Sequence, residues 1–191
     1  FHTMSIIKRL LISKPFNFMV NNLIWVGCVI GREEYTWLVA PLVVIYISIL
    51  VVNSSIRIEQ VFIPAFIGIT IDSLLTLVGV YQFANASILP PLWLLILWIA
   101  IASSLTSSLS FLGRRKIVAS IFGAVGVPIN YLAGAGLDAV SFGHSYFITA
   151  IGLCALWAAC LPLLFYATQV QVAKIRGSLW DKWSKTKSTD Y

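Results

Sequence analysis

The sequence predicts an all-α fold: a polytopic membrane protein built as a six-helix up-and-down bundle. Three observations carry that expectation. The chain is 59% hydrophobic and only 10% charged, with a mean hydropathy of +0.92, whereas a soluble domain is about a quarter charged. The apolar residues gather into six runs, near 16–31, 36–54, 61–83, 89–111, 117–138 and 146–170. Each run is about long enough to cross a ~30 Å hydrocarbon core as a helix. Finally, the cations sort by side. Under this assignment 12 of the 13 Lys and Arg residues lie on one side, and Arg32 lies on the other beside Glu33 and Glu34. That asymmetry places both termini in the cytoplasm.

In chain order, Phe1-His2-Thr3 ahead of Met4 (residues 1–3) reads as the remnant of a tag. Residues 4–15, with Lys8, Arg9 and Lys14, read as an interfacial lead-in. Residues 16–170 form the transmembrane domain, and 171–191 a basic cytoplasmic tail in which Trp180 and Trp183 are placed to dock on the membrane surface. The links between segments are short, so sequence neighbours pair antiparallel. Tyr35, Trp37, Tyr81, Trp93 and Tyr146 sit at the outer segment ends, where an aromatic ring prefers headgroup depth. The net charge of +6 then reads as a topology signal and an affinity for anionic lipid, not for nucleic acid. Cys28, Cys154 and Cys160 are odd in number and lie in apolar segments, which argues against a disulfide framework.

An internal repeat is a further expectation. Gly68-Ile69-Thr70-Ile71-Asp72-Ser73 returns 58 residues on as Gly126-Val127-Pro128-Ile129-Asn130-Tyr131, while Phe83 matches Phe142 and Trp98 matches Trp157 at an offset of 59. Segments three and four thus resemble five and six, as repeated parallel helical hairpins would. Val20-Asn21-Asn22-Leu23 is a fainter third copy. The competing reading is coincidence within a small apolar alphabet.

Helical spacing turns the repeat into a candidate site. Ala65, Gly68, Asp72, Thr76 and Gly79 make one small-and-polar stripe; Ala119, Gly123, Gly126, Asn130 and Gly134 make another. Small residues at this spacing face protein, not lipid, so Asp72 and Asn130 are expected to point inward at similar depth. Asp72 is the one ionisable residue placed well inside a segment, where a charge costs on the order of 3 kcal/mol. Carrying a proton, or hydrogen bonds from Ser73, Thr76, Asn130, Tyr131 or water, would offset that cost. The expected ligand-binding set is therefore Asp72, Asn130, Tyr131, Ser73, Thr76 and Asn21. A plain packing staple is the alternative reading of Asp72.

Other chemistry is not visible. No His, Cys and carboxylate cluster has metal-ligand spacing, and no glycine-rich phosphate loop precedes a helix. No cofactor and no metal are expected. With a single intramembrane carboxylate and no second acid or base, the groups that hydrolysis needs are missing, so an enzymatic role is the least favoured.

The run Asp72-Ser73, Phe83, Leu92-Trp93-Leu94, Leu97-Trp98 and Gly123–Val140 resembles a family of small bacterial inner-membrane proteins of unknown function, over roughly residues 20–165. Its most specific part, Gly123-Ala124-Val125-Gly126-Val127-Pro128-Ile129-Asn130-Tyr131-Leu132-Ala133-Gly134, is similar to a Gly-Gly-Pro-Leu-x-Tyr-x-x-Gly pattern, with Val127 in place of the second glycine. The resemblance implies genes sited near cyclopropane-fatty-acid-synthase-like enzymes, and hence membrane lipids as partners. Two functional readings stand. One is binding or transport of a small molecule or lipid headgroup at the buried polar site. The other is a non-catalytic accessory or scaffold subunit for lipid-modifying enzymes.

Overall fold

The computed structural model describes residues 2–53, 55–84 and 89–188, with side chains described only between 6 and 169. The chain forms α1 (His2–Leu11), α2 (Lys14–Val52), α3 (Glu59–Leu77), β1 (Tyr81–Gln82), α4 (Leu92–Thr106), α5 (Lys116–Gly136), β2 (Ser141–Phe142) and α6 (Tyr146–Ser188). Among the described residues, α2, α3, α5 and α6 are long and apolar enough to cross a membrane, and α4 is a shorter apolar helix. The chain is therefore an all-α bundle with almost no strand.

At 39 residues, α2 would run roughly 58 Å if straight, twice a bilayer core. It folds back on itself instead. Arg32 sits at φ 47°, ψ −131°, at a positive φ that non-glycine residues rarely adopt. Beyond it the Phe16 and Tyr46 rings come within 6.2 Å, and the Gly27 position lies beside Val39. Residues 14–31 and 33–52 are thus two antiparallel arms, the first two predicted segments. The predicted link Gly31–Tyr35 shrinks to one residue for a steric reason. A Cβ on Gly31 would lie 2.3 Å from the Tyr35 ring, and Arg32 Nη2 donates to Leu137 O at 2.7 Å, pinning the turn to the end of α5.

The predicted segments three and four are shorter than expected. Gly79, at φ 77°, turns the chain out of α3 before 83, and Pro90-Pro91 delays α4 to Leu92. At the other end α4 stops at Thr106, where Ser107 takes φ −110°, ψ −94°. The cause is Asn17, fully buried on the first arm. Its Oδ1 accepts from Ser108 Oγ at 2.7 Å and from Ser108 N at 3.4 Å, which holds the chain out of the helical ladder.

Trp93, Leu94, Leu97, Trp98, Ala102 and Leu105 are all buried on α4. A helix apolar all round belongs inside, and α4 is the core helix, packed by α2 and α3. Facing outward are Trp37, Phe66, Ile117 and Phe147, each more than two-thirds exposed, the surface hydrocarbon would cover. α6 continues as helix to Ser188, so most of the basic 171–191 tail is an extension of the last apolar segment. The docking expected of Trp180 and Trp183 lies outside the described side chains.

The two hairpins meet symmetrically. β1 and β2 pair antiparallel, Tyr81 with Phe142 and Gln82 with Ser141. At the offset of 59 that relates Phe83 to Phe142 and Trp98 to Trp157, Gln82 and Ser141 are equivalents, and they pair with each other. The repeat partners Trp98 and Trp157 stack at 5.6 Å and 21°. Equivalent groups touching each other is what a local twofold axis requires.

Candidate functional site

Asp72 lies on the buried face of α3 with Val61, Ala65 and Gly68. Glycine at 68 admits the Trp98 indole, since a Cβ there would lie 2.3 Å from the ring. Trp98 Nε1 then donates to Asp72 Oδ2 at 2.6 Å. The Tyr131 hydroxyl, from α5, bonds the same oxygen. Asp72 is 0% exposed, so one carboxyl oxygen ties α3 to α4 and α5. Hydrogen bonds from two donors offset much of the cost of placing the group in hydrocarbon.

Aromatic rings close over this acid. Tyr81 stacks on Tyr131 at 4.6 Å and 16°, beside the stacked Trp98 and Trp157. Burial pushes the Tyr81 phenol above its ordinary range. Asp72 Oδ1 has no hydrogen-bond partner among the described residues.

Beyond the rings runs a groove of about 220 Å³ between the first arm of α2, α4, α5 and α6. Trp98, Tyr131 and Trp157 line it and Asp72 does not. The acid therefore stands behind the lining and positions it. The groove opens where Phe18, Asn22, Phe122 and Asn130 are exposed. Asn21, Asn22 and Asn130 supply its carboxamides. Each donates an N–H to the carbonyl four residues back: Asn21 to Asn17 at 3.0 Å, Asn22 to Phe18 at 2.8 Å, Asn130 to Gly126 at 2.7 Å. The carboxamide oxygen of Asn21 is buried and has no hydrogen-bond partner among the described residues.

The structure brings Asp72 and Tyr131 together as expected, but the inward pairing of Asp72 with Asn130 is corrected. Asn130 is exposed, and its amide is tied to its own helix. The reason is the neighbour. α6 packs against Ala119 and Gly123, where a Cβ on Gly123 would lie 2.1 Å from Trp157 O; one turn further the same stripe faces the groove. Ser73 and Thr76 are also turned to their own helix, donating to Ile69 O at 2.7 Å and Asp72 O at 2.8 Å. Asn21 sits apart from Asp72, donating to Ser103 Oγ at 3.4 Å. Sequence reasoning missed Trp98 as the donor to Asp72, although the repeat had singled it out. It also missed Asn17, whose signal was its place one helical turn before Asn21.

Fold and groove together define a polytopic helical protein of membrane type with a side-opening aromatic groove. The chain belongs to the DUF2878 family, described as proteins of unknown function, which matches it over residues 14–163. No curated protein and no solved structure matches it.

Proposed function

We propose that the groove receives the polar headgroup of a membrane lipid and carries it across part of the bilayer, while the acyl chains stay outside through the open side. The observation behind this reading is the spacing of the three amides in an otherwise apolar and aromatic lining. At 1.5 Å per residue, Asn21 and Asn22 stand roughly 11 Å from the start of the first arm, and Asn130 roughly 21 Å from the start of α5. Both helices begin at the same basic end. A headgroup moving along the groove therefore meets a hydrogen-bonding partner about every 10 Å, where hydrocarbon would offer none. Asp72 serves this route indirectly, by fixing Trp98 and Tyr131. The basic end is cytoplasmic in this reading, and the membrane is the bacterial inner membrane.

Proteoliposomes carrying a headgroup-labelled phospholipid test it. The intact protein is expected to expose inner-leaflet label to a membrane-impermeant quencher. Asn21→Leu combined with Asn130→Leu should remove most of that activity without changing thermal stability. Equal rates with and without protein would reject the proposal. So would a polypeptide that co-purifies in stoichiometric amount and crosslinks into the groove, because that is the signature of an accessory subunit.

A further inference from the structure

At the basic end of the bundle lies a hollow of about 500 Å³ lined by Lys14, Ser110, Phe111, Arg114, Arg115 and Val118. Three of its lining residues lie within one helical turn of residues that line the groove. Lys14 is one turn before Phe18 and Val118 one turn before Phe122, on the same helix faces, and Ser110 follows Leu109; Phe18, Phe122 and Leu109 all line the groove. Lys14, Arg114 and Arg115 are exposed, no carboxylate lines the hollow, and no ion pair to these three is present among the described residues. The N-terminus of α5 has no side-chain cap, so its free N–H groups and positive dipole end add to the same field. The opposite mouth differs in sign: Glu33, Glu34 and Asp138 stand there against Arg32 alone.

We infer that Lys14, Arg114 and Arg115 form a phosphate subsite at the entrance of the groove, and that the lipid admitted is an anionic glycerophospholipid. This rests on the groove reading and names its substrate class. Guanidinium groups bind phosphate oxygens in pairs, and the lysine adds a point charge. Phe111, 56% exposed, offers the adjoining apolar surface to the chains. A zwitterionic headgroup brings an ammonium into a field of three cations and is disfavoured. Three cations with no carboxylate among the lining residues favour an anionic headgroup over a neutral one.

The test uses the full chain in lipid-free detergent and reads retained ligand by native mass spectrometry. The probes are phosphatidylglycerol, phosphatidylethanolamine with the same chains, and glycerol phosphate without chains. Wild type is expected to retain phosphatidylglycerol at least about tenfold over phosphatidylethanolamine and to ignore glycerol phosphate. Lys14→Gln/Arg114→Gln/Arg115→Gln should erase the preference while still retaining lipid. Asn21→Leu/Asn130→Leu should lose retention of both lipids. No preference in wild type, a preference surviving in the triple variant, or equal retention of glycerol phosphate would overturn the subsite and leave the groove standing. No lipid retained by wild type overturns the groove itself.

Discussion

The two hairpins of this bundle carry the same stripe of small residues and put it to opposite uses. On α3, Ala65, Gly68 and Asp72 are all buried, and α4 and α6 both pack against that helix. On α5, α6 covers Ala119 and Gly123, but α4 forms no comparable interface, and Gly126 and Asn130 line a groove. Twofold symmetry, visible in the β1–β2 pair and the Trp98–Trp157 stack, would have made the halves alike. The first arm of α2 breaks it by packing on α4, standing across the groove from α5. A single unpaired element thus converts one of two similar surfaces from a packed interface into an open slot. Polar residues at matching positions follow suit: Asp72 is locked by two helices, and Asn130 is exposed beside the groove and bonds its own helix.

If the halves differ in this way, equivalent substitutions should have unequal effects. The largest contrast is at the polar pair. Asp72→Ala strands the Trp98 indole N–H and the Tyr131 hydroxyl and is expected to cost about 3 kcal/mol, whereas Asn130→Ala should cost less than about 0.5 kcal/mol. Chemical denaturation in detergent measures both, and similar losses would mean the halves are packed alike. A smaller contrast lies at the glycines. Gly68→Ala pushes a methyl into Trp98 and should destabilise by about 1–3 kcal/mol. Gly126→Ala meets nothing closer than Phe122 at 3.3 Å and should be close to neutral in stability, narrowing only the groove. A costly Gly126→Ala would show that α5 is packed where the structure leaves it open.

Much of the crossing pattern is legible in the sequence, because hydropathy and cation placement depend on the bilayer alone. The first two segments, the turn beside Glu33 and Glu34, and the inward face of Asp72 follow from local composition and spacing. Asn130 shows where such reading stops. Its stripe is as regular as that of Asp72, and only the identity of the neighbouring helix decides whether the stripe meets protein or a slot. The early end of α4 was hidden for a similar reason: Ser107 and Ser108 read as helix until Asn17, on another segment, competes for their backbone. Trp98 was visible as half of the Trp98–Trp157 repeat pair, yet its role needed the close approach that Gly68 permits.

The most direct measurement compares positions 130 and 66, placing a photoreactive benzoylphenylalanine at one or the other in the full chain. Phe66 is 72% exposed and does not line the groove, so it samples only loosely held lipid. Membranes are solubilised, the protein is exchanged into lipid-free detergent, and only then is it irradiated and weighed. A phospholipid adduct at 130 with none at 66 is the expected result. Equal adducts at both positions, or none at 130, would contradict a headgroup groove on the α5 side.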